Sequence, residues 1–183
     1  TKSTLADLRW LRQSGLEAAV QRAASAGVPV MGICGGYQML GRSVADPEGA
    51  EAEPGTEIAG MGLLEVDTVF AGEKVQRQTK GVFGSVEGPL RQGYEIHMGR
   101  AEGTLPVLMQ NGNVYGTYLH GVFDAPGAAD AVLKALCVRR GVDFARLGAF
   151  DAGAYRERQY DILAQAVRES LDMDLVYRIL EKK

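Results

Sequence analysis

A chain of 183 residues is long enough to bury a core and fits one domain of ordinary size. With 46% hydrophobic and 23% charged residues it has the composition of a globular fold, and a net charge of −3 gives no electrostatic reason to expect nucleic acid or an anionic membrane as partner. No apolar run reaches a membrane span, no secretory signal is visible, and two cysteines make neither a disulfide framework nor a metal pattern, so a reducing cytoplasm is the expected setting.

Thr4-Leu-Ala-Asp7 has the form of a capping box, with Thr4 as N-cap. Apolar residues then recur at helical spacing, which predicts one helix from Thr4 to about Ala26, ended by Gly27 with Pro29 beyond. Val28-Pro-Val-Met-Gly-Ile33 follows as a short apolar strand of the kind covered on both faces. A parallel strand needs neighbours, and the residues before Thr4 supply none. The expectation is therefore a chain missing its first strands, or one that borrows a partner.

The strand runs into Gly32-Ile-Cys34-Gly-Gly-Tyr-Gln38-Met-Leu-Gly41, a sharp turn and the start of a helix. Glycines around Ile33 and Cys34 let the backbone swing from strand to helix while holding Cys34 at the bend, the logic of a nucleophile elbow with cysteine for serine. A helix N-terminus there favours the thiolate. A lone cysteine is ordinarily a small buried hydrophobe. The glycine context sets Cys34 apart, whereas Cys137 on an apolar helix face reads as core. Gln38 lies one turn above Cys34 on the same face, a ready hydrogen-bonding group for an amide substrate.

Asp46 to Gly55 is polar and turn-rich and reads as a surface loop. Strand-like stretches follow at Gly62–Phe70, Lys74–Val82, Gly93–Gly99, Leu105–Met109 and Val114–Leu119, with Gln110-Asn-Gly-Asn113 as a hairpin turn. Ala128–Arg140, Tyr155–Leu171 and a last amphipathic stretch around Leu175–Leu180 are helical. Alternating helices and strands predict an α/β fold, a mostly parallel sheet flanked by helices with additional antiparallel strands.

A cysteine nucleophile needs a base, and the chain offers two histidines. His120 stands where a strand ends, the place α/β proteins keep their chemistry, while His97 sits inside a strand like a structural histidine. The Gly35 N–H, next after the nucleophile, is the natural oxyanion donor. Val122 cannot orient His120, which leaves Glu95 and Asp124 as candidate carboxylates.

Gly32-Ile-Cys34-Gly-Gly-Tyr-Gln38, Gly93-Tyr-Glu-Ile-His-Met-Gly99 and Gly116-Thr-Tyr-Leu-His120-Gly-Val-Phe-Asp124 together resemble the triad-type (class I) glutamine amidotransferase domain of cobyric acid synthases. The opening Thr1–Arg12 and the stretches Arg156–Asp161 and Leu171–Asp174 resemble that family too, so the likeness runs over essentially the whole chain, 1–183. It implies a flavodoxin-like class I fold with Cys34 and His120 catalytic, Gly35 in the oxyanion hole and Gln38 at the substrate. It implies glutamine as substrate and no metal or cofactor in this domain. ATP and magnesium belong to a synthase domain outside the chain, which passes the released ammonia to carboxylates of a corrinoid. Most class I relatives carry His-Pro-Glu at the base; His120-Gly121-Val122 departs from that, as the corrinoid-amidating branch does. Low activity of the isolated chain is implied as well. The competing readings are a cobyrinic acid a,c-diamide synthase or lipid II amidating glutaminase of the same branch, and a non-catalytic domain that keeps the fold.

Overall fold

Gly15 adopts a left-handed conformation with φ 79°, and this one residue divides the expected first helix into α1 (Thr4–Gln13) and α2 (Leu16–Ser25). A side chain at that φ would be strained, so Ser14-Gly15 was a helix stop with good apolar spacing on both sides of it. Arg12 then bridges to Glu17 across the break with Nε–Oε2 and Nη2–Oε1 distances of 2.6 and 2.9 Å. The computed structural model describes residues 1–81, 91–101, 108–123, 128–147 and 151–181. Asp124, Val82 and the expected strand start at Leu105 lie outside them.

The described chain falls into two compact units, Thr1–Ala125 and Pro126–Lys183. In the first, β1 (Val30–Ile33) is followed by α3 (Gly35–Leu40), β2 (Ser43–Asp46), β3 (Thr56–Ala59), β4 (Asp67–Gly81), β5 (Arg91–Ala101), β6 (Met109–Asn111) and β7 (Val114–Thr117). These form two sheets, of order β1-β7-β6 and β3-β2-β4-β5. β1 runs parallel to β7 and β2 parallel to β4, while β2/β3, β4/β5 and β6/β7 are antiparallel. The fold is α/β, with parallel pairing confined to two pairs among the described strands and antiparallel strands added around them. The expected strand at Gly62–Phe70 begins only at Asp67, because the chain bends through residues 62–65 from Gly62 at φ 68°. The hairpin at Gln110–Asn113 is present, Asn111 pairing with Val114 and Gly112 taking φ 57°.

The core of this unit joins Leu5 and Leu8 of α1 to Tyr37, Met39 and Leu40 of α3, and to Val44, Leu64, Val66, Phe70 and Val114. Leu8 is fully buried, so its loss to alanine is worth about 3 kcal/mol. The chain crosses itself closely here. A Cβ on Gly60 would fall 2.1 Å from the Gly41 carbonyl oxygen, and one on Gly41 2.4 Å from that of Val66.

Asp46 ends β2 fully buried and accepts N–H hydrogen bonds from Ala50, Glu51 and Ala52 at 2.7, 2.8 and 2.7 Å. Burial alone would raise its pKa, but these backbone donors together hold it below the usual carboxylate range. The loop expected to lie on the surface is thus wound around a buried carboxylate.

The second unit consists of α4 (Ala128–Arg140), a short 3-10 turn (Phe144–Leu147), α5 (Ala152–Ser170) and α6 (Met173–Glu181). Asp151 caps α5 by accepting from the Ala154 N–H at 2.9 Å. Lys134 lies over the Phe144 ring, 5.0 Å from its centroid. Cys137 is buried on α4. Among the described residues no helix is long and apolar enough to cross a membrane.

Candidate active site

Cys34 stands between β1 and α3 with φ 54° and ψ −114°, the only non-glycine at positive φ among the described residues. That conformation costs on the order of 1–3 kcal/mol and persists only where the surroundings hold it. Two contacts hold it here. The Cys34 N–H donates to the Thr117 carbonyl at 2.8 Å, continuing the β1/β7 ladder through the bend. Gly32 leaves room for α3 to fold back over the strand, since a Cβ there would meet the Gly36 carbonyl oxygen at 2.6 Å.

β7 carries the other half. Ile33 pairs with Thr117 in parallel, so both strands deliver their chains to the same edge. Beyond Thr117 the Leu119 N–H donates to its hydroxyl at 3.0 Å, which turns the chain, and Gly121 completes the turn at φ 74°. His120 lies between them, half-buried, with its Nε2 buried. Cys34 and His120 thus leave adjacent strand ends.

The thiol is half-buried, and its pKa is pushed up. Burial is the largest cause; the Gly35 N–H pulls it down, and Glu51 pushes it further up. The expected gain from the helix N-terminus is present in the Gly35 N–H but is outweighed by desolvation. Desolvation therefore favours the neutral thiol.

Gln38 is 2% exposed. The Thr4 hydroxyl donates to its Oε1 at 3.1 Å, and its Nε2 donates to the Tyr118 hydroxyl in a long contact of 3.5 Å. Thr4 is therefore no N-cap. The helix begins at Thr4 itself with Ser3 preceding it, and the Thr4 side chain turns inward. Glu51 takes up donors of the helix start instead, accepting from the Leu5 N–H at 3.3 Å. Burial raises the Glu51 pKa, with the Leu5 and Thr4 donors opposing and Asp46 adding to the rise.

Tyr37 packs edge-on against Tyr118 with ring centroids 5.0 Å apart. Gly116 makes this possible, because a Cβ there would fall 2.1 Å from Cδ2 of the Tyr37 ring. Burial, with a smaller contribution from Tyr118, pushes the Tyr37 phenol up to about 12. Gly35 is hemmed in likewise; its Cβ would meet Cγ2 of Thr1 at 2.5 Å.

The backbone assigns Glu95 and His97 to β5 of the other sheet, at register positions opposite Arg77 and Val75. The residues that sequence reasoning missed are Thr4, Glu51 and Tyr118. Their contacts span 34 to 80 residues of sequence, beyond the reach of any local pattern. Among the described residues no group of three or more His, Cys, Asp or Glu is placed to hold a metal ion.

Residues 1–128 match the family profile of the CobB/CobQ-like glutamine amidotransferase domain. The cobyric acid synthase of Lachnoclostridium phytofermentans is 44% identical over 100% of this chain and 41% of its own length. Those of Ruminiclostridium cellulolyticum and Klebsiella pneumoniae are each 39% identical over 100% of the chain and 40% of their own. The chain thus spans about two-fifths of the length of these curated relatives. A solved crystal structure of glutamine amidotransferase superposes with a TM-score of 0.47 at 18% identity, covering 76% of this chain and 75% of that one. By the match over residues 1–128, the chain belongs to the CobB/CobQ-like glutamine amidotransferase family.

Proposed function

We propose that this chain is the glutaminase portion of a cobyric acid synthase, releasing ammonia from glutamine at Cys34. The observation that carries the reading is the strained backbone of Cys34 at a strand-to-helix bend, tied to the strand end that leads to His120. Strain of this kind at a thiol is kept for chemistry, since a core cysteine has no use for it.

In this reading His120 takes the proton from the Cys34 thiol, which burial would otherwise keep neutral. The sulfur attacks the side-chain carbonyl carbon of glutamine, and the Gly35 N–H donates to the oxyanion that forms. His120 returns the proton to the departing nitrogen, which leaves as ammonia. Water, deprotonated by His120, then cleaves the glutamyl thioester and frees glutamate and the thiol. Gln38 serves at the substrate side of the elbow. The names of the relatives support the wider assignment. Ammonia would pass to an ATP- and magnesium-dependent partner domain that amidates corrinoid carboxylates.

The test is ammonia and glutamate release from glutamine by the full natural protein, with and without ATP and a corrinoid acid. Hydrolysis dependent on Cys34 and raised by ATP and corrinoid is the expected result. An intact protein that neither hydrolyses glutamine nor is labelled at Cys34 by a diazo or chloroketone analogue would make it a non-catalytic domain.

A further inference from the structure

The hydrogen bonds around Gln38 continue past the elbow. The Thr4 hydroxyl lies 3.1 Å from Gln38 Oε1 and 3.4 Å from Glu51 Oε1. It has one hydrogen for two acceptors. An ionised carboxylate is the stronger acceptor. When the hydrogen goes to Glu51, Gln38 can satisfy Thr4 only by turning its amide over. Nε2 then donates to Thr4, and Oε1 accepts from the Tyr118 hydroxyl. When Glu51 is neutral or replaced, Thr4 donates to Oε1 and Nε2 donates to Tyr118. The two arrangements differ by rotation of one terminal side-chain torsion, which needs no backbone movement.

Both ends of this chain of contacts matter. Gln38 is one turn beyond Cys34, and Tyr118 is two residues before His120. Glu51 itself is held from two sides: Asp46 accepts its N–H, and the Leu5 N–H donates to its carboxylate.

We propose that Glu51 is a positioning residue of this site. Acting through Thr4, it sets which way the Gln38 amide faces, and so the hydrogen bond that joins the Cys34 helix to the His120 segment. The inference rests on the glutaminase reading and adds to it a group which that reading does not use. The titratable groups facing Glu51 are Asp46 on its own loop and Cys34 across the site.

The test has two readouts in the full natural protein. The first is alkylation of Cys34 by iodoacetamide as a function of pH, followed at that residue by mass spectrometry. Glu51→Gln should move the midpoint to lower pH, because a negative charge near the thiol is gone; Thr4→Val, which keeps that charge, should move it less. The second is glutamine turnover. Glu51→Gln and Thr4→Val should each lower kcat about tenfold, the effect of losing one charge-assisted hydrogen bond, with KM changed less than about threefold. Together they should do no worse than either alone, since they interrupt one chain. Thr4→Ser, which keeps the hydroxyl, should restore the rate. An unchanged alkylation midpoint in Glu51→Gln, or losses that multiply in the double variant, would overturn the proposal. If the wild-type protein releases no ammonia from glutamine, the function proposed above fails, while the alkylation titration still decides whether Glu51 acts on this site.

Discussion

Each of the two sheets holds one parallel pair, and one histidine lies just beyond the first sheet and the other within the second, yet the pairs are used differently. In β1-β7-β6 the parallel strands end level, Ile33 against Thr117, and each chain turns away at once, one at Cys34 and the other toward His120. In β3-β2-β4-β5 the parallel pair does not end together. β2 stops at Asp46 and winds its loop around that carboxylate, while β4, 15 residues long, runs on into a long antiparallel ladder with β5. His97 lies within that ladder. Parallel pairing alone therefore does not make a site; two chains leaving the same edge do.

The comparison is exposed to test at several points. The largest effect belongs to Cys34. Its replacement by alanine should lower glutamine hydrolysis by about ten-thousandfold, as loss of a covalent nucleophile does. Cys137→Ser, on α4, should leave the rate unchanged, and ammonia release measures both. Next come the histidines. His120→Ala should cost roughly a hundredfold to ten-thousandfold, the range for a positioned base, and His97→Ala less than tenfold. A reversed order would move the chemistry into the β4/β5 ladder.

Asp46 probes the strand end that does not form a site. Asp46→Asn replaces a charged acceptor of three N–H groups and should cost about 2 kcal/mol at neutral pH, read by denaturant unfolding. The pKa of Asp46 is lower in the folded protein than in the unfolded chain, so the unfolded chain binds more protons at low pH. Its contribution is complete above the ordinary carboxylate range and is lost as pH falls through the depressed value. The penalty of Asp46→Asn should accordingly shrink in acid. The smallest effect is expected at Glu95. Glu95→Gln should change turnover less than tenfold, in keeping with a position in the other sheet. A loss as large as that of His120→Ala would join the two sheets into one site.

How much of this was readable beforehand follows from the range of the forces involved. The elbow was legible because it is local: a four-residue strand, a thiol and four glycines lie within a dozen positions of each other. The place of His120 at a strand end was legible from the apolar run before it. The break at Gly15 was masked by good helical spacing on both sides. Thr4 mimicked a cap because Asp7 stands at the right distance, yet its hydroxyl found Gln38 and Glu51 in the interior. The loop after Asp46 looked solvated from its composition, since nothing in a run of small and acidic residues announces that one carboxylate will be buried by its own backbone.

The pairing of β1 with β7 also sets a schedule. Gln38, one turn beyond Cys34, and Tyr118, which it contacts, are separated by 80 residues of sequence. Closing a loop of that length precedes any reward from the contacts it makes, so such pairings form late. At roughly 5–20 residues per second, synthesis alone keeps the two segments apart for about 4–16 seconds. A nascent chain therefore carries Cys34 for some time before the segment that holds His120 exists. On the function proposed above, glutamine hydrolysis would be a property of the finished fold, and an arrested or shortened chain ending before β7 would hold Cys34 without His120.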